Sequence, residues 1–111
     1  MKHLVLVCAL GLFAGGCAIG PLISEPDAKA LVARGAMLID VRTPEEYGSG
    51  HLVGARNIPL HELELRKDEL PRDVDLVLYC RSGARSSRAR AMLRAAGFTR
   101  VHNLGAMENW K

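Results

Sequence analysis

The sequence predicts an α/β fold in which a parallel sheet is covered by helices on both faces. Two observations lead there. Strand-like runs at residues 36–41, 74–79 and 100–104, and a turn with a short strand within 51–59, alternate with segments of helical periodicity, the order that builds parallel sheets. The run Ala36-Met37-Leu38-Ile39 is continuously apolar, as in strands buried on both faces. At 111 residues the chain has room for one domain.

The N-terminus is excluded from that fold. Met1-Lys2-His3 is a short basic start, Leu4 to Phe13 is an apolar core broken by Gly11, and Ala14, Gly15 and Gly16 precede Cys17. This is the layout of a secretory signal peptide. Ala14-Gly15-Gly16-Cys17 also resembles the bacterial lipobox, with Ala14 where leucine is usual. That resemblance implies cleavage of residues 1–16 and lipidation of Cys17. No charge occurs from Leu4 to Ile23, close to the ~20 residues that span a bilayer, so an uncleaved anchor is the competing reading. Four glycines and Pro21 in that window weaken it. Each reading places the domain outside the cytoplasm, on the periplasmic side of a bacterial envelope. If cleavage occurs, Cys8 is lost, Cys17 is blocked and Cys80 is the sole free thiol, with no internal disulfide and no cysteine-built metal site.

Residues 17–22 read as a short tether, and 23–111 as the domain. Ser24 is an N-cap, followed by Pro26 and Asp27 in the first turn. Ala28, Leu31 and Val32 fall at helical spacing, and Gly35 ends that helix. After the strand at 36–41, Thr43-Pro44-Glu45-Glu46 starts a short helix that Gly48 and Gly50 end. His51 to Pro59 is a turn and a short strand; a lone loop histidine such as His51 is more often a structural hydrogen-bonder than a base. Leu60 to Leu70 is amphipathic and Pro71 closes it. The strand at 74–79 delivers Cys80. Ser86 to Ala96 is a helix with Ala89, Met92, Leu93 and Ala96 on its apolar face and Gly97 as its C-terminal stop. Residues 100–104 form a last strand, and Met107 to Trp110 a closing helix.

Charge sharpens the picture. The net charge is only +3, yet no acid occurs between Asp75 and Glu108, where Arg81, Arg85, Arg88, Arg90, Arg94 and Arg100 all lie. The stretch has no interleaved aromatics, which argues against nucleic acid. A local positive field around Cys80 would instead draw a small anion. A thiol reacts as its thiolate, whose pKa of about 8.5 falls beside arginine or at a helix N-terminus. Ser82, Gly83 and Ala84 are small enough for backbone N–H groups to turn inward as an anion nest. Arg81 and Arg85 offer charge-assisted hydrogen bonds, and Ser86 is expected to cap the next helix. Since ligands of parallel sheets bind beyond the C-terminal strand ends, Cys80 is the expected nucleophile.

With these residues in view, the chain resembles a single-domain rhodanese. The resemblance rests on Asp40-Val41-Arg42, Glu46-Tyr47, His51, Gly54-Ala55-Arg56-Asn57-Ile58-Pro59, Cys80-Arg81-Ser82-Gly83-Ala84-Arg85-Ser86, Asn103-Leu104-Gly105 and Trp110. Ala106 departs from it, standing where many members have a second glycine. The resemblance implies a rhodanese-like α/β fold with a central parallel five-stranded sheet. It also implies sulfur transfer through a Cys80 persulfide, from thiosulfate to cyanide or a thiol acceptor. In that scheme Arg81 and Arg85 bind the donor, the amides from Arg81 to Ser86 hold the persulfide, and no metal or organic cofactor takes part. Asp40, Arg42, Glu46, His51 and Asn57 then read as scaffold.

Two rivals remain at this level. Phosphatases and arsenate reductases of the same fold resemble a loop with five residues between cysteine and arginine, whereas four separate Cys80 from Arg85 here. A non-enzymatic persulfide carrier or sulfur-sensing module would keep the same loop.

Overall fold

The computed structural model describes residues 19–111. The signal peptide, cleavage before Cys17 and lipidation of Cys17 expected from the sequence fall outside the described residues. Helix α1 spans Glu25–Ala33, strand β1 Met37–Asp40, helix α2 Pro44–Gly48, strand β2 Arg56–Asn57 and helix α3 Leu60–Arg66. Strand β3 follows at Leu76–Cys80, helix α4 at Ala84–Ala95 and strand β4 at Val101–Ala106. Single 3-10 turns, Lys67–Glu69 and Met107–Asn109, follow α3 and β4. The last of these stands where a closing helix is expected.

All pairings are parallel, in the order β2-β1-β3-β4. This is four strands among the described residues rather than the five that the family resemblance implies. Beside β4 the chain makes a single backbone bond, from Ile23 N–H to Asn103 O at 2.9 Å. Pro21 has no N–H to donate, and Ser24 turns away to cap α1, its hydroxyl accepting from Asp27 N–H at 3.3 Å. The stretch between them is too short for a ladder.

Successive side chains of a strand point to opposite faces, and β3 divides the core on that rule. Leu76, Leu78 and Cys80 join the layer under α3 and α4, which includes Leu63, Ala89 and Leu93. Val77 and Tyr79 join the layer with Ala28 of α1 and Leu104, against which Tyr47 of α2 and Trp110 pack. The register of β3 thus sends the Cys80 sulfur toward α4.

Tyr79, on the other face, anchors a buried polar network. Its hydroxyl donates to Asp40 Oδ2 at 2.7 Å and accepts from Leu52 N–H at 3.0 Å. Asp40 is fully buried and Arg42 is 3% exposed. Arg42 donates to Asp40 from Nε and, at 2.6 Å, from Nη2, which also reaches Gly50 O at 2.7 Å. Asn57 Nδ2 donates to the carbonyls of Asp40 and Arg42, both at 3.0 Å. These residues fix the turn after β1. His51 stacks on Tyr47 with ring centroids 3.7 Å apart and contacts Tyr47 O through Nδ1 at 2.9 Å, a structural position.

The tether lies against the loop that follows Cys80. Gly20 N–H donates to Ser87 Oγ at 3.0 Å. Ile19 Cδ1 lies 3.2 Å from where a Cβ on Gly83 would sit, and Leu22 Cδ2 3.1 Å from the equivalent point on Gly105.

Candidate active site

Cys80 is the last residue of β3, fully buried, and the chain turns immediately after it. The turn depends on Gly83, whose φ of +105° is a left-handed conformation that other residues resist. A side chain there would also press on Ile19 and on the Gly105 backbone. With this geometry the N–H of Gly83 points back at Cys80 Sγ, 3.0 Å away. The N–H of Ser86 adds a second contact at 3.4 Å, and Ser86 Oγ lies 3.5 Å from the sulfur.

Helix α4 starts at Ala84 with Gly83 as its N-cap, two residues before the expected start, and no side chain caps it. Ser86 is therefore inside the helix rather than its cap. Its hydroxyl, fully buried, sits between Cys80 Sγ and Gly83 O, the latter 3.2 Å away. The hydroxyl has one proton to give. Gly83 O and a Cys80 thiolate are both within reach to accept it.

Burial pushes the Cys80 thiol up, but the Ser86 hydroxyl and the N–H groups of Ser86, Gly83 and Ser82 outweigh it, so the pKa is lowered overall. Neutral hydrogen-bond donors thus favour the charged sulfur.

The two arginines are placed differently. Arg85 forms a two-pronged pair with Glu46 of α2, Nη1 to Oε1 at 2.7 Å and Nη2 to Oε2 at 3.1 Å. Arg81 makes one longer contact, Nε to Glu46 Oε2 at 3.3 Å, and its side chain is 68% exposed. Glu46 is itself fixed by a capping box, accepting from Thr43 N–H at 2.9 Å. Arg85 is thus held by two bonds, while Arg81 is exposed and held by one longer contact. Ser82 and Ala84 are exposed on the loop's outer side. The expected loop residues, Cys80 to Ser86, form one continuous turn around the sulfur. Glu46, grouped in the sequence with the scaffold, joins them. The two lie 39 positions apart in sequence, and no local pattern links them.

Ala106 pairs with Cys80 in the β3–β4 register and lies next to the loop in space. Its φ of −76° and ψ of 142° are ordinary extended values, so the fold does not need a glycine there.

The Arg85 fork, followed by the Thr43 N–H, holds the Glu46 carboxyl far below the usual carboxylate range. A depressed folded-state value means that the pair's contribution is complete above the unfolded pKa of about 4.3 and is lost as pH falls toward the folded value. The stability deficit of Glu46→Gln relative to the parent is therefore expected to be constant from neutrality to about pH 5 and to shrink below about pH 4. Urea melts across that range measure it; a deficit that grows on acidification contradicts the assignment.

This fold and this cysteine loop define a class. The model of the rhodanese-like domain matches residues 24–111, and the chain belongs to that family. It is 49% identical over 78 residues to the uncharacterized protein YqhL of Bacillus subtilis, a match covering 69% of this chain and 62% of that protein. It is 37% identical over 106 residues to human thiosulfate:glutathione sulfurtransferase, covering 81% of this chain and 92% of that protein. The structure of a human single-domain sulfurtransferase superposes with a TM-score of 0.73 at 33% identity, over 82% of this chain and 95% of that one. Sulfur transfer is the general activity that these relationships support.

Proposed function

We propose that the protein moves sulfane sulfur from thiosulfate to a thiol acceptor through a persulfide on Cys80. The observation that carries this reading is the convergence of the Gly83 and Ser86 N–H groups and the Ser86 hydroxyl on one buried sulfur. Such donors stabilise a thiolate before reaction and the terminal persulfide anion after it.

In the first step the Cys80 thiolate attacks the outer sulfur of thiosulfate. A sulfur–sulfur bond forms at Cys80, the bond to the sulfonate sulfur breaks, and sulfite leaves with the electron pair. In the second step an acceptor thiolate, or cyanide in an assay, takes the outer sulfur and the Cys80 thiolate is restored. This is covalent catalysis in two displacements.

Arg81, exposed and weakly held, meets the sulfonate, while Arg85, fixed to Glu46, supplies a standing positive charge beside the loop. Arg81→Ala is expected to raise the thiosulfate KM about tenfold with little change in kcat, as loss of one exposed charge-assisted hydrogen bond implies. An unchanged KM in steady-state kinetics would remove Arg81 from donor binding.

The protein does this in the bacterial envelope, on the periplasmic side, tethered by a lipid on Cys17. The basic start, the apolar stretch and Ala14-Gly15-Gly16-Cys17 support that placement. Intact mass of the protein made in a bacterium, with and without thiosulfate, reads cleavage, lipidation and one added sulfur together. A chain that gains sulfur but yields no thiocyanate with cyanide is a sulfur carrier. A chain that does neither refutes the proposal.

A further inference from the structure

Residues 19–23 run beside β4 from the sulfur loop to the start of α1, and they are held at both ends. Near the loop, Gly20 N–H donates to Ser87 Oγ at 3.0 Å. Near α1, Ile23 N–H donates to Asn103 O at 2.9 Å. Pro21 stands between the two bonds, its φ fixed by its ring. The segment is a short strut pinned twice.

Its apolar side chains land on bare backbone. Gly83 and Gly105 both have positive φ, and a Cβ on Gly83 would lie 3.4 Å from Gly105 Cα. Ile19 covers Gly83, and Leu22 covers Gly105. Both side chains are partly withdrawn from water by these contacts, Ile19 being 41% exposed and Leu22 53%. Ser87 carries the second contact into the site. Its N–H donates to Gly83 O at 3.0 Å, and Ser86 just before it gives an N–H to the sulfur. Gly83, under Ile19, and Ser86, beside Ser87, are thus each one step from the strut.

We infer that Ile19 and Gly20 are positioning residues for the chemistry at Cys80. Ile19 acts through Gly83, and Gly20 through Ser87, to keep the N–H groups of Gly83 and Ser86 aimed at the sulfur. That role rests on the sulfur-transfer reading above. A donor swung out of line still belongs to the turn but no longer stabilises a thiolate, because hydrogen bonds weaken steeply with angle. The strut works by geometry alone, since residues 18–23 carry no ionisable side chain. The charges beside the loop belong to Arg81, Arg85 and Glu46, which its loss leaves in place.

The test uses the full chain and two variants. Ile19→Ser removes the apolar cover. Ser87→Ala removes the acceptor of the Gly20 N–H, and alanine suits a helix interior. The first measurement is the rate of Cys80 alkylation by iodoacetamide against pH, read on the Cys80 peptide. The second is persulfide formation from thiosulfate. A hydrogen bond to a charged group is worth a factor of about ten or more, so partial misalignment of two should slow both reactions at neutral pH about three- to tenfold. The alkylation midpoint should move up in pH, and rates should rejoin the parent's above about pH 10, where the thiolate forms unaided. The thiosulfate KM should stay within about twofold, because Arg81 is untouched. Ile19→Leu should restore the parent profile. A parent-like profile in Ile19→Ser overturns the inference. So does a loss that is equal at every pH, which would mark general loosening of the fold. If thiosulfate loads no sulfur on the parent, the donor reading fails by itself and the alkylation profile still decides the role of the strut.

Discussion

Cys80→Ser protein incubated with thiosulfate should gain no sulfur by intact mass and should form no thiocyanate when cyanide is added. The expected loss is complete, to the rate in buffer, because no other described residue is a cysteine and the N–H groups of the loop hold only what is bonded at position 80. The serine hydroxyl is smaller than the thiol and accepts the same hydrogen bonds, so the fold should persist with a melting temperature within a few degrees of the parent. A Cys80→Ser chain that still accumulates sulfur would refute the persulfide assignment outright. In the parent, persulfide formation should rise with pH through a midpoint below the usual cysteine value of about 8.5, since the loop lowers the Cys80 pKa.

The largest effect on stability is expected at Asp40. Asp40→Ala leaves the Arg42 guanidinium, 3% exposed, with Gly50 O as its remaining partner and takes the acceptor from the Tyr79 hydroxyl. Breaking a buried pair from one side typically costs about 3–5 kcal/mol, because an uncompensated charge stays behind. For a domain of this size that lowers the melting temperature by about 15 °C or more. Asp40→Asn keeps an acceptor for Tyr79 and should fall between parent and Asp40→Ala. Calorimetry or urea melts measure both. A cost below about 1 kcal/mol would mean that water reaches Arg42, and the network would not be the clamp on the β1 turn described above.

Much of this site is legible in the chain because its parts are local. Cys80 to Ser86 is one continuous segment, and the apolar run before it announces both the strand and its end. Ser24, Thr43 and Gly97 mark helix boundaries by chemistry that acts within a few residues. What the chain conceals is long-range or depends on backbone angles. Glu46 meets Arg85 only because the neighbouring parallel strands β1 and β3 deliver α2 and α4 to the same end of the sheet. Ser86 has the composition of an N-cap, but the left-handed turn at Gly83 starts the helix earlier and redirects its hydroxyl to the sulfur. The missing edge strand is likewise a matter of hydrogen bonding: Ile23 is apolar and suits a strand, yet its neighbourhood supplies one bond.

The segment before α1 fixes a length scale. Ile19 rests on Gly83 and Gly20 is bonded to Ser87, so the first described residues are held against the sulfur loop. Two peptide steps separate Cys17 from Ile19, at most about 7 Å of extended chain. A surface that grips the chain at Cys17 would hold the sulfur loop at a nearly constant height. Lengthening the chain between those two residues would act as a ruler, raising the loop step by step without touching its chemistry.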